Sequence, residues 1–145
     1  LPITETVKLE DLEGKKVLAK NGKEVGNIVG VRIDPENLNV ETIKVSKGLF
    51  SEDYYVGKDY IETLGKDGAV LNIVPVTEFK GKKVFDAGGQ EIGKVEEVET
   101  IGPTNSVFSI KVKQGINKPD LTFKEDQIDT IGKNIVLKNK MPKIE

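Results

Sequence analysis

Residues 14–26 read GKKVLAKNGKEVG, and residues 81–93 read GKKVFDAGGQEIG. This duplication limits the fold more than any other feature of the chain. Gly14 and Gly81 stand 67 positions apart, as do Gly22 and Gly89, Glu24 and Glu91, and Gly26 and Gly93. The same offset carries Val40, Ile43, Lys44, Val45 and Gly48 onto Val107, Ile110, Lys111, Val112 and Gly115. It also carries Ile61, Thr63, Gly65 and Lys66 onto Ile128, Thr130, Gly132 and Lys133. Roughly a third of the paired positions are identical. A solenoid repeat is about 20–50 residues long, so this period is that of a whole small domain. We therefore expect two tandem domains, 6–74 and 75–141, in one ungapped register.

The two copies correct each other's secondary structure. In QEIGKVEEVETIG, residues Ile92, Val95, Val98 and Ile101 are three apart, a spacing that suggests a helix. The matching stretch KEVGNIVGVRID contains Gly26 and Gly30 among Val and Ile, which makes a poor helix but a good strand with a bulge or bend. Both are read as strands. Asn21-Gly22 and Gly88-Gly89 predict tight hairpin turns with two residues at positive φ. VETIKV and VFSIKV alternate apolar with polar residues. Short apolar runs at 54–56 and 121–123, then IETLG and IDTIG, precede a last strand in each copy. The expected fold class is all-β: two small six-stranded barrels, closed so that no sheet edge is left exposed.

Composition narrows the chemistry. Hydrophobic residues make up 37% and charged residues 32%, with a net charge of -2, which is the profile of a folded protein. Arg32 is the single arginine, and the charge balance disfavours a nucleic-acid backbone as partner. With no Cys and no His, neither thiolate nor imidazole chemistry is available. The longest apolar stretch, VLNIVPV at 70–76, is far short of the roughly 20 residues that cross a bilayer, so no direct membrane insertion and a cytoplasmic location are expected.

Gly88–Lys94, GGQEIGK, matches G-x-x-x-x-G-K, but Val95 stands where the metal-binding hydroxyl belongs, and a strand follows instead of a helix. A hairpin turn is the preferred reading. The acidic pairs Asp34/Glu36, Glu52/Asp53 and Glu125/Asp126 lack calcium-loop spacing and read as solvated loops. Ser46, Ser51, Ser106 and Ser109 have no base marked out by spacing. No enzyme, cofactor or metal site is expected.

The sharpest asymmetry lies between SKGLFSEDYYVGKDY at 46–60 and KQGINKPDLTFKEDQ at 113–127. Tyr54 and Val56 match Leu121 and Phe123 and are expected to face inward. Phe50, Tyr55 and Tyr60 match Asn117, Thr122 and Gln127 and are expected to face outward. Aromatic side chains give much contact area at low entropic cost, so these three are the candidate partner interface, with packing inside the molecule as the alternative.

The Gly-Lys-x-Val strand, the turn, the x-Glu-[Val/Ile]-Gly step and the long strand leading into an alternating one resemble the PRC-barrel family. The carrying residues are Gly14, Val17, Gly22, Glu24, Val25, Gly26, Val31, Ile43 and Val45, with Gly81, Val84, Gly89, Glu91, Ile92, Gly93, Val98, Ile110 and Val112 in the second copy. The family occurs in the photosynthetic reaction centre H subunit and in a bacterial ribosome maturation factor. A stand-alone tandem form is similar to archaeal proteins of cell division that work with a tubulin-like division protein and its membrane anchor. The resemblance implies a protein–protein interaction adaptor or scaffold, a homo- or hetero-oligomer whose partner is a paralogous PRC-barrel protein or the division-ring membrane anchor. The alternative it implies is an RNA- or ribosome-associated maturation factor. The shared residues specify a fold more than an activity.

Overall fold

The computed structural model describes residues 1–101 and 106–142, with the backbone alone at Ser106. It divides into two compact units, Leu1–Pro75 and the chain from Val76 onward, each described by itself. The first contains β1 (Lys16–Leu18), β2 (Glu24–Ile33), β3 (Val40–Ser46), β4 (Tyr54–Gly57), β5 (Ile61–Gly65) and β6 (Gly68–Leu71). The second contains β7 (Lys83–Phe85), β8 (Glu91–Ile101), β9 (Ser106–Lys113), β10 (Leu121–Lys124), β11 (Ile128–Ile131) and β12 (Ile135–Leu137). Each set forms one six-stranded curled sheet, in the order β4-β3-β2-β1-β6-β5 and β10-β9-β8-β7-β12-β11. β1 runs parallel to β6 and β7 parallel to β12, and the other neighbours are antiparallel. The all-β, twice six-stranded architecture is thus the one the repeat predicts.

Full closure is not. Among the described residues the hydrogen-bonded ladder ends at β4 and β5, which are joined by a single 3-10 turn, Lys58–Tyr60; Glu125–Gln127 does the same between β10 and β11. A turn bridges the gap that hydrogen bonds were expected to close.

The helix-like spacing in β8 has a physical origin in bulges. Val84 pairs with Gly93 and Phe85 with Glu91, leaving Ile92 unpaired; Val95 pairs with Val112 and Glu97 with Lys111, leaving Glu96 unpaired. Each bulge inserts one residue and converts the strand period of two into a step of three, so Ile92 and Val95 are both buried on one face. β2 repeats the device, with Val25 and Val29 as the unpaired residues and Val25 and Ile28 buried.

The hairpin turns differ from expectation in one respect. Gly22 has φ +83° and Gly89 has φ +86°, whereas Asn21 and Gly88 do not lie at positive φ. The Gly22 N–H donates to Ala19 O and the Ala19 N–H to Lys23 O; Gly89 to Asp86 and Asp86 to Gln90 repeat the pattern. These are three-residue loops with one left-handed glycine, not two-residue loops with two.

The core of each unit is built from equivalent positions. Val17, Val25, Ile28, Ile43, Val45, Val56 and Leu71 are fully buried in the first, and Val84, Ile110, Val112 and Ile135 in the second, with Ile92, Val95, Phe123 and Leu137 nearly so. Leu12, from the short helix Leu9–Leu12, and Phe79 add one buried side chain each at the entry to the first strand. The register, however, does not run ungapped to the end. Val17 pairs with Ala69 but Val84 pairs with Ile135, so the offset shortens by one residue in the turn before β6 and β12. Gly68, at φ +118°, opens β6 directly after the longer turn of the first unit.

Candidate functional site

Three strands position the candidate site on the outer face of the first unit. In β3, Ile43 and Val45 point into the core, so Thr42 and Lys44 must point out. Lys44 pairs with Tyr55 of β4 and with Gly30 of β2, and Thr42 pairs with Arg32. Gly30 has no side chain, and the Arg32 side chain reaches across β3 to the Tyr55 ring. Its guanidinium carbon is 5.3 Å from the ring centroid, and the Lys44 Nζ is 5.9 Å away; both distances suit cation–π contact. Lys44 also lies 3.8 Å from Asp53, just ahead of β4. The Arg32 hydrogen bond to the phenol oxygen holds the Tyr55 hydroxyl below its ordinary pKa. The charges of Lys44 and Arg32 act in the same direction, while partial desolvation and Asp53 oppose them.

The second unit has the same strands and a different face. Glu99 stands in place of Arg32, Glu97 in place of Gly30 and Thr122 in place of Tyr55, while Lys111 and Asp120 keep the ion pair at 3.6 Å. Ser109 donates to Glu99 at 3.3 Å. The ion pair therefore belongs to the shared architecture, and the arginine–tyrosine stack is added to one copy only.

The three aromatic residues singled out by sequence occupy three different elements. Tyr55 is half-buried on the outer face of β4, Tyr60 is half-buried at the end of the 3-10 turn, and Phe50 is fully exposed in the β3–β4 loop. Tyr54 turns inward, and its hydroxyl donates to Val25 O at 2.9 Å. In the sequence Arg32 stands out only as the single arginine. The signal that could have found it was its place on β2, flanking the same β3 residues that face Tyr55.

The remaining motifs take structural positions. Gly88 and Gly89 lie in the β7–β8 turn, and Lys94 lies within β8, so a strand follows the G-x-x-x-x-G-K match. Asp34 accepts the Glu36 N–H at 2.8 Å and shapes the β2–β3 turn, while Glu125 and Asp126 sit in a 3-10 turn. Ser46 accepts the Gly48 N–H at 3.3 Å. The side chain of Ser106 lies outside the described residues.

Sequence reading missed Asp86. This buried carboxylate accepts the N–H groups of Gly88 and Gln90 on one oxygen and that of Met141 on the other, at 2.8–2.9 Å. These bonds, Met141 and Gln90 foremost, hold its carboxyl below the usual aspartate range. Ala19 occupies the equivalent place in the first unit, where Asn21 accepts the Lys23 N–H instead.

No curated protein matches the chain. Among solved structures it is similar to a 16S ribosomal RNA processing protein, RimM, from Pseudomonas aeruginosa. The two are 15% identical, with 91% of this chain and 82% of that chain covered and a TM-score of 0.36, a likeness too slight to carry an argument about either fold or role. None of the described helices is long and apolar enough to cross a membrane. The PRC-barrel domain family matches residues 5–76 and again residues 71–140. These two matches span both six-stranded units, and the chain belongs to the PRC-barrel family.

Proposed function

We propose that this protein is a non-enzymatic interaction adaptor that docks other proteins through the outer face of β2, β3 and β4 in its first unit. The observation that supports this reading is the Arg32–Tyr55–Lys44 cluster. The second unit builds the same three strands with Glu99, Thr122 and Lys111, so the fold does not require the arginine or the tyrosine. A planar cation stacked on a half-exposed phenol suits a contact surface, since arginine and tyrosine are over-represented among residues that dominate interface energies. Tyr60, half-buried at the end of the turn that follows β4, is the second aromatic residue assigned to the interface.

By family resemblance, the setting is archaeal cell division, and the partner is a paralogous PRC-barrel protein or the membrane anchor of the tubulin-like ring. Tagged parent protein and an Arg32→Ala/Tyr55→Ala variant, both checked for parental melting temperature, would be recovered from the native cell and their companions quantified by mass spectrometry. Division proteins retained by the parent and depleted by the variant are the expected result. Equal recovery with both baits would remove the cluster from the interface. Recovery of ribosomal material alone would move the protein to a different process.

A further inference from the structure

The loops that join β3 to β4 and β9 to β10 make the same turn and break the same rule. The Ser51 N–H faces Gly48 O at 3.4 Å, and the Lys118 N–H faces Gly115 O at 3.5 Å. Leu49 and Phe50 therefore occupy the two corner positions of the first turn, and Ile116 and Asn117 those of the second. Corner positions favour Pro, Asp, Asn, Ser and Gly, each for a local backbone reason. Here they hold Leu49 at 97% exposure, Phe50 at 102% and Ile116 at 96%. Single exposed apolar residues are common on any surface. An apolar residue at the outermost corner of both copies, three times in four positions, conflicts with turn chemistry, and such conflicts are expected at functional sites.

We propose that each of these turns, taken within its own unit, is a lipid-contacting tip for a membrane surface carrying anionic headgroups. The side chains at the two corners share exposure and apolarity but not shape, as Leu-Phe in one and Ile-Asn in the other. A protein cleft selects for shape, whereas the boundary between headgroups and acyl chains accepts any apolar side chain. Charge points the same way at the second tip. Exposed Lys113 and Lys118 flank Ile116, and Asp120, the acidic residue of that loop, is paired with Lys111. Gln114 donates to Pro119 O at 2.7 Å and ties the loop across its base, so Ile116 is presented on a held turn. This inference stands apart from the adaptor reading, which uses the face of β2, β3 and β4.

The test is co-sedimentation of the full chain with vesicles of phosphatidylcholine, with and without phosphatidylglycerol. A Leu49→Ser/Phe50→Ser/Ile116→Ser variant is run beside the parent, and melting curves confirm that folding is unchanged. The parent is expected to pellet with the anionic vesicles in a salt-sensitive way, and the variant to partition at least about tenfold less. Because the chain has no Trp, a Phe50→Trp variant supplies a single reporter, and its emission is expected to shift to the blue when anionic vesicles are added. Absence of pelleting with either vesicle, or equal pelleting of the triple variant, overturns the proposal. An unshifted Phe50→Trp spectrum in a pelleting sample overturns it for the first tip and leaves that turn to an apolar protein cleft.

Discussion

Gly26 is the position at which the duplicated motif can be tested most severely, because Gly22, Gly26 and Gly30, all in the hairpin of β1 and β2, should respond to the same substitution for different reasons. At φ +143° Gly26 has a backbone that L side chains rarely adopt. A Cβ built there would stand 2.5 Å from Ser46 O and 2.7 Å from Val45 Cγ1, inside the distance at which real atoms meet. Backbone strain of this kind costs about 1–3 kcal/mol. Forcing a methyl into a packed interior costs about 1–3 kcal/mol more. Gly26→Ala is thus expected to destabilise the first unit by roughly 2–6 kcal/mol, a large part of the 5–15 kcal/mol typical of a whole domain. Gly22 lies at φ +83° with nothing within 4 Å of its would-be Cβ, so Gly22→Ala bears only the strain, about 1–2 kcal/mol. Gly30 is the control: its would-be Cβ makes ordinary contact with Lys44 at 3.6 Å, and Gly30→Ala should be near neutral. At roughly 4–8 °C per kcal/mol for a unit of this size, thermal melts followed by circular dichroism separate the three variants well. An order of Gly26 far below Gly22, with Gly30 at the parent value, is expected. If Gly26→Ala melted within a few degrees of Gly22→Ala, the close approach of β2 to β3 at this point would be wrong.

Three further outcomes follow from individual side chains. The folded-state pKa of Asp86 is depressed, so its bonds contribute stability above the ordinary aspartate value of about 3.9, and that contribution is lost as pH falls through the folded value. Acid titration of the melting temperature should show this loss, and Asp86→Asn should flatten that limb; an identical acid limb in the variant refutes the assignment. Tyr55 should ionise below the ordinary phenol value of about 10, and Arg32→Ala should return it upward, read by ultraviolet difference absorbance against Tyr55→Phe. Thr42 keeps its hydroxyl oxygen shielded from solvent with no hydrogen-bond partner. Thr42→Val, a near-isosteric change, is expected to raise stability by about 1 kcal/mol, measured by denaturant titration, and a drop would mean that the hydroxyl is satisfied.

The parts of this molecule that sequence revealed are those a second copy could vote on. Helix and strand were indistinguishable for Ile92, Val95 and Val98 until Gly26 and Gly30 of the other copy excluded the helix, and the bulges then accounted for the three-residue step. What remained hidden is local to one copy. Nothing in the pattern marks that one residue is dropped before β12, because Val70 and Leu137 are both apolar and suit either register. Asp86 carries no signal in the sequence, since the Met141 N–H that it accepts lies 55 positions away and no periodicity joins them. The same limit applies to the site. Tyr55 could be assigned to the outer face from Thr122, but its stack with Arg32 depends on the lateral order of β2, β3 and β4, which a side-chain pattern along single strands does not encode. Duplication thus separates two kinds of constraint. Residues kept in both copies, such as Gly26 with Gly93 and Lys44–Asp53 with Lys111–Asp120, answer to the backbone they share. Arg32 and Tyr55 stand in one copy while Glu99 and Thr122 stand in the other, so the shared backbone does not require them, and it is on this ground that the outer face of the first unit is where a partner should be sought.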